Sequence, residues 1–266
     1  MTITPIFDPE KEKRPMRVAA FMSGSGTNII KLIEREEYLT EQQGAAPFHV
    51  VFIFSDRSDG GSQGERIAHN NGLPYFSYDI RSFHRLRSLK RTVKTEKGLE
   101  ARKEFDQVAQ RLVDAFEIDV IALGGYMSYT TLNRCVNVHP ADLSILTETG
   151  ARKFVGDNAV HDAISSGEAL LRASTLWTDE GVDTGPLLMV SGTLPVDLPG
   201  SMEELRKDSG QYQKVVEEHQ ERLKEVGDWV IFPLTIEMIA RGRFALDEGN
   251  RVYVDHRPVP EGYREG

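Results

Sequence analysis

From residue 16 onward, short apolar runs rich in β-branched and aromatic residues alternate with longer stretches whose apolar positions recur every three or four residues. That alternation predicts βαβ units around a parallel sheet. Residues 17–22 (RVAAFM) predict the first strand and run directly into Ser23-Gly24-Ser25-Gly26-Thr27-Asn28, after which Ile29, Ile30, Leu32 and Ile33 share one side of a helix. Residues 48–54 (FHVVFIF) predict a second strand, ending at Ser55-Asp56-Arg57. A helix containing Ile67 and Ala68 follows, then the turn signal Asn71-Gly72 and a short strand over 74–78. Phe105, Val108, Ala109, Leu112, Val113 and Phe116 stand at helical spacing; residues 119–123 (DVIAL), closed by Gly124-Gly125, read as a fully buried strand, and 134–138 (RCVNV) as another. About five parallel strands are expected by His139.

The C-terminal half is more mixed. Residues 171–177 and 186–194 predict two strands separated by the loop 178–185, residues 203–226 a charged amphipathic helix, and Phe232-Pro233 the start of another that stops near Arg241-Gly242. No repeat, low-complexity tract or Ser/Gly/Pro-rich linker interrupts the chain. The expected architecture is therefore α/β, a mostly parallel central sheet with helices on both faces and a mixed C-terminal part. A single domain over 16–266 is expected after an N-terminal extension, 1–15.

Composition narrows the function classes. At roughly 150 residues per domain, 266 residues admit one domain or two. Lys and Arg total 32 against 41 Asp and Glu, a formal charge of −9, which argues against a broad electrostatic grip on nucleic acid or an anionic membrane. Any anionic ligand needs a local site. The mean hydropathy is −0.38, and no apolar run approaches the roughly 18 residues of a membrane span. The single cysteine, Cys135, excludes an intramolecular disulfide and a cysteine-cluster metal site. The first fifteen residues carry acids and no signal-like apolar core, so the expected location is cytoplasmic. One island is basic: residues 81–103 hold nine Lys and Arg against Glu96 and Glu100. Such a run is expected to be a solvated insertion or exposed helix, or else a patch that attracts an anionic ligand.

Candidate chemistry concentrates in three short motifs. In Ser23 to Asn28 two glycines stand where a strand gives way to a helix, so backbone N–H groups and the helix N-terminus can face an anion. The turn is neither a P-loop, since no Gly-Lys-Ser/Thr follows, nor a full dinucleotide fingerprint, since Ile29 holds the third glycine position. By itself it also fits simple close contact between strand and helix. In Asn137-Val138-His139-Pro140, alternate strand residues share a face, so an amide and an imidazole project together at the C-terminal edge of a parallel sheet. They suit an oxyanion developing on a carbonyl carbon under attack, and equally a structural polar pair. The third motif is the acidic loop Asp179-Glu180-Gly181-Val182-Asp183-Thr184-Gly185-Pro186. It either only turns, or supplies a carboxylate that raises the pKa of an imidazole and orients its proton. Of the other histidines, His49 lies mid-strand, while His69, His84, His161, His219 and His256 are expected at the surface. No His/Asp/Glu cluster has ligand spacing, so no metal is expected.

In this order and at these intervals, the motifs resemble those of the folate-dependent formyltransferases over nearly the whole chain. Ser23-Gly-Ser-Gly-Thr-Asn28 is similar to that family's SGxGxN loop, Phe54-Ser55-Asp56 to its FSN/FSD, and Leu123-Gly124-Gly125-Tyr126-Met127 to its AGFM. Asn137-Val138-His139-Pro140 is similar to NxHP and Asp183-Thr184-Gly185-Pro186 to DxGP, while Phe232-Pro233-Leu234, Gly242-Arg243 and Pro260-Glu261-Gly262-Tyr263 resemble the closing segments. The resemblance implies a formyltransferase (Rossmann-like) fold with a phosphate-binding half, 16–135, and a catalytic and folate half, 136–266. It implies attack of an amine, that of glycinamide ribonucleotide in purine synthesis, on the formyl carbon of 10-formyltetrahydrofolate. A protonated His139 and Asn137 would then stabilise the oxyanion, with Asp183 holding the imidazolium. Ser25, Gly26, Thr27, Asn28, Pro140 and Asp228 would bind the phosphorylated substrate. Met127, Ser128, Tyr129, Thr130, Glu180, Gly181 and Val182 would line the folate pocket.

The chain departs from the family pattern after Pro140. About eight extra residues precede Phe154-Val155-Gly156, the family's GxH histidine falls on Asn158, and a strand histidine falls on Leu176. The folate-side loop is therefore expected to be altered. An acceptor other than glycinamide ribonucleotide, another phosphorylated or sugar-linked amine, is the nearest alternative. A nucleotide-binding Rossmann oxidoreductase or binding module is the alternative of a different class. No nucleic-acid or membrane partner is expected, and the chain is expected as a monomer or homodimer.

Overall fold

The computed structural model describes residues 2–264. Contacts group the chain into two compact units, one of Pro5–Asn137 with Ile236–Arg243, the other of Met1–Thr4, Val138–Thr235 and Phe244–Gly266. The stretch expected only as an extension is structured: β1 (Ile3–Pro5) is followed by α1 (Pro9–Glu12), whose first N–H groups, those of Glu10 and Lys11, are capped by Asp8.

The first unit holds β2 (Met16–Met22), α2 (Thr27–Gln43), β3 (Phe48–Ser55), α3 (Gly64–Asn70), β4 (Tyr75–Ser77), α4 (Ile80–Leu86), α5 (Glu96–Ala115), β5 (Val120–Leu123) and most of β6 (Cys135–His139). Its strands run in the order β4-β3-β2-β5-β6, every neighbouring pair parallel. Val18, Ala19, Ala20, Phe21 and Met22 are all fully buried, which is why β2 reads as a continuous apolar run rather than an alternating one. Phe21, Phe52, Phe54 and Tyr126 pack into one core, with Phe21 and Phe54 ring centroids 4.7 Å apart. Each such side chain contributes about 1.5–3 kcal/mol by leaving water.

The helix expected around Phe105 begins nine residues earlier, at Glu96, with Thr95 as its cap. The basic island is consequently not a solvated stretch throughout. Arg102 is 2% exposed because Asp106, one turn on, neutralises it, and Phe105 stacks on Tyr78 at 4.8 Å. His84, expected at the surface, is buried with Nδ1 donating to the Ile80 carbonyl.

In the second unit the two long strands expected over 171–177 and 186–194 each divide. They become β7 (Leu170–Leu171) with β8 (Ser174–Trp177), and β9 (Leu187–Val190) with β10 (Leu194–Pro195), giving two antiparallel pairs, β8/β9 and β7/β10. Helix α6 (Ala159–Ser165) precedes them. The single helix expected over 203–226 is also broken. A capping box, Ser201 with Glu204, starts α7 (Met202–Leu205), and a second cap, Asp208, starts α8 (Ser209–Leu223). A π turn over Lys224–Asp228 then leads into α9 (Trp229–Ala240), which begins before Phe232 and accommodates Pro233 one turn in. His219, also expected at the surface, is buried: its Nδ1 donates to the Val215 carbonyl and its Nε2 accepts from Asp197 N–H. Strands β11 (Phe244–Asp247), β12 (Val252–Val254) and β13 (Arg257–Pro258) form a small sheet in the order β1-β11-β12-β13.

Candidate active site

Within the first unit, the turn between β2 and α2 is dictated by a glycine. Gly26 adopts a left-handed φ of 70°, and a Cβ there would lie 2.6 Å from both Ile67 Cδ1 and Met22 Cε. No side chain caps α2, so the N–H groups of its first turn keep their affinity for an anion. Asn28 is buried, and its Oδ1 accepts no hydrogen bond. Ser25 is exposed and Thr27 half-buried on the same turn.

The irregular segment after β5 is fixed at several points. Ser23 N–H donates to the Gly125 carbonyl at 3.1 Å and Ser23 Oγ accepts the Met127 N–H at 2.9 Å. The Ser128 hydroxyl donates to the Asp56 carboxylate. Asp106 accepts from Thr131 N–H at 2.7 Å and Thr131 Oγ1 at 2.9 Å, while Arg102 donates to Tyr126 Oη at 3.0 Å. Met127 itself is 70% exposed. Beside it lies a cavity of about 290 Å³ within this unit, lined by Met127, Ser128 and Tyr129 and by His84, Arg91 and Lys94 of the basic stretch.

In the second unit, the last residue of β6 and the acidic loop bring His139 and Asp183 together, Nδ1 to Oδ2 at 3.5 Å, with both side chains 10% exposed or less. Nε2 donates to the Phe154 carbonyl at 3.0 Å. Burial is the largest influence on the imidazole and pushes its pKa below the usual value, Arg152 adds to that, and Asp183, the Phe154 carbonyl and Asp157 oppose it. Burial thus disfavours the charged form of the ring. Asp183 holds its place with a left-handed φ of 53° and accepts Gly156 N–H at 2.9 Å. Asn137, two residues before His139 on the same strand, is half-buried, as is Pro140 after it.

The remaining candidates separate by environment. Glu180, Gly181 and Val182 are exposed at the tip of the loop, where Asp179 ties Gly181 N–H and the Thr184 hydroxyl. Tyr129 and Thr130 are half-buried. Asp228 is 5% exposed in the π turn. His161 is half-exposed, with Nδ1 3.0 Å from the Asp162 carboxylate. Among the described residues no group of three or more His, Cys, Asp or Glu is placed to hold a metal ion. No described helix is long and apolar enough to cross a membrane.

Sequence reasoning missed the contribution of residues 145–156. Of these, residues 145–153 form a small hairpin, with Leu146 bridged to Arg152, Thr147 N–H to the Ala151 carbonyl at 2.7 Å, and Gly150 left-handed at the turn. No spacing in the sequence signals that contribution, because the contacts of Phe154 and Gly156 are made by backbone groups of a bending chain. The missed ion pair Arg102–Asp106 had the i, i+4 spacing of a helical pair.

Comparison with known proteins agrees with this architecture. The chain is 23% identical over 248 residues to the trifunctional purine biosynthetic protein adenosine-3 of Homo sapiens, an alignment covering 91% of this chain and 20% of that protein. It thus spans about a fifth of the length of such trifunctional relatives. It is 24% identical over 179 residues to the phosphoribosylglycinamide formyltransferase of Bacillus subtilis, covering 65% of this chain and 76% of that one. Among solved structures, the phosphoribosylglycinamide formyltransferase of Coxiella burnetii shares the fold with a TM-score of 0.65 at 21% identity, covering 95% of this chain and all of that one. The formyl transferase family matches residues 16–214, three-quarters of the chain, and the chain belongs to that family.

Proposed function

We propose that this chain transfers the formyl group of 10-formyltetrahydrofolate to the amine of glycinamide ribonucleotide in purine synthesis, in the cytoplasm. The observation that carries the reading is the His139–Asp183 pair at the end of a parallel strand, buried where the charged form of the ring is disfavoured. A neutral ring beside a carboxylate is a proton acceptor that the carboxylate stabilises once charged. As the amine nitrogen bonds to the formyl carbon, the pair takes up the amine proton. Asn137, with its N–H donors, stabilises the oxyanion. When the tetrahedral centre collapses, the pair returns the proton to the departing nitrogen, so the formyl group has moved and the protons balance.

Ser25, Gly26, Thr27 and Asn28 would hold the substrate phosphate through backbone N–H groups of an uncapped helix start, with Pro140 and Asp228 as further substrate contacts. Met127, Ser128, Tyr129 and Thr130, with Glu180, Gly181 and Val182, would hold the folate. The cavity beside Met127 supports that fit, because it joins apolar Ile80 and Val93 to cationic Arg91 and Lys94, a lining suited to an aromatic molecule that carries carboxylates.

The test is a panel of amines incubated with 10-formyltetrahydrofolate, following tetrahydrofolate formation and formate release separately. Formylation of glycinamide ribonucleotide is expected. Transfer to another phosphorylated or sugar-linked amine alone would move the acceptor, and formate release without transfer would make the chain a hydrolase.

A further inference from the structure

Past the hairpin of residues 145–153 the chain bends through Gly156, whose φ is 77°, and Arg152, Phe154 and Gly156 each contact His139 or Asp183. Arg152 Nη1 donates to the Asp183 carbonyl and Nη2 to the Gly185 carbonyl at 2.7 Å. Phe154 offers its carbonyl to His139 Nε2, and Gly156 its N–H to Asp183 Oδ2. The two backbone contacts, at 154 and 156, would survive substitution of the side chains. The guanidinium would not. It bridges two carbonyls of a turn whose first residue, Asp183, sits in left-handed space that costs a non-glycine residue about 1–2 kcal/mol. At the far end of that turn a Cβ on Gly185 would lie 1.9 Å from the Trp177 carbonyl, so the chain has no slack there.

We propose that Arg152 is a positioning residue, clamping the turn from Asp183 to Gly185 so that the Asp183 carboxylate stays beside His139. The proposal rests on reading His139 and Asp183 as the proton-transfer pair. A planar fork suits the task, because two N–H groups reach two carbonyls at once, which an ammonium cannot reproduce. The charged groups bearing on the ring are Asp183 and Asp157, which favour its proton, and Arg152, which opposes it. Arg152 therefore also biases the pair toward the neutral, proton-accepting state.

The test uses the full chain with Arg152→Ala, Arg152→Lys and Arg152→Gln, checked for folding by circular dichroism. Formyl transfer by Arg152→Ala is expected to fall about ten- to a hundredfold in kcat, the scale of an ångström-sized misplacement, with KM for the phosphorylated amine unchanged. Millimolar guanidinium chloride should restore part of the kcat of Arg152→Ala, and Arg152→Lys should not match it. Independently of activity, the His139 ring followed by NMR should titrate at lower pH in Arg152→Lys, which keeps the positive charge but not the fork that holds Asp183 beside the ring, than in the unaltered chain. A kcat within twofold of the unaltered chain, or an unmoved His139 midpoint, would overturn the proposal. So would failure of all three variants to fold, since the guanidinium would then serve the fold itself. Should the unaltered chain formylate no amine, the functional reading falls, and the NMR midpoint still decides the role of Arg152.

Discussion

Each unit buries one pair of opposite potential charges, and the two pairs are built differently. Arg102 and Asp106 meet through two hydrogen bonds of 2.9 and 2.6 Å, and Asp106 also accepts from Thr131 while Arg102 donates to Tyr126. Both carboxylate oxygens of Asp106 and two of the three guanidinium nitrogens of Arg102 have partners. His139 and Asp183 stand 3.5 Å apart, the ring's other nitrogen faces a backbone carbonyl, and burial disfavours the charged imidazole. A saturated pair has nothing left to exchange, so it fixes structure. An unsaturated one, with a ring poised to gain charge, can move a proton.

Breaking the saturated pair should produce the largest effect. Asp106→Ala leaves Arg102 buried and unpaired, and should cost about 3–5 kcal/mol in denaturant unfolding. The double change Arg102→Met with Asp106→Leu should recover most of it, whereas a loss as large as that of the single variant would deny that the charge is the cause.

Altering the unsaturated pair should spare stability and remove turnover. His139→Ala and Asp183→Asn are each expected to lower kcat by about a hundredfold or more, at least about 2.7 kcal/mol of barrier. Turnover equal to that of the unaltered chain in either variant would sink the proton-transfer role.

A third effect is smaller and belongs to the glycine turn. Gly26→Ala forces a side chain into left-handed space and against Ile67 and Met22, and should cost about 1–2 kcal/mol while raising KM for the phosphorylated amine. An unchanged KM would separate this turn from phosphate binding.

The smallest effect is in pH. Because His139 titrates below its ordinary 6.5 in the folded chain, kcat/KM should hold as pH falls past 6.5 and drop only at lower pH, when the ring is protonated. The unfolded chain binds that proton first, so the contribution of His139 to stability is complete above pH 6.5 and is lost as pH falls through it. Stability curves of the unaltered chain and His139→Gln should diverge in that window. Parallel curves would show the ring to be unperturbed.

Much of this was legible in the chain. Strands β2, β3 and β5 announce themselves as continuous apolar runs, because strands covered on both faces need no polar alternation. The glycine turn and the NxHP strand end are local, and local geometry follows from local residues. The segment 145–156 was not legible in its role. Its extra length was visible, but its partners, Asp183 and Gly185, lie some thirty residues on, and only the folded chain brings them together. His84, Arg102 and His219 were misjudged as surface groups for a related reason. Polarity suggests exposure, and what permits burial is a partner: the Ile80 carbonyl, Asp106, and the Val215 carbonyl with Asp197 N–H.

The helix expected over 203–226 shows the same division at closer range. Ser201 with Glu204, and Asp208, are capping signals that stand in the sequence, and they start two helices where one amphipathic stripe suggested a single one. Sequence alone determined the α/β alternation and the place of the glycine turn, since each depends on residues within a few positions of one another. Tertiary structure alone decided the burial of His139, which disfavours its charged form, and the conformation of Asp183. Burial and the guanidinium of Arg152 are properties of neighbours in space, and no spacing along the chain encodes them.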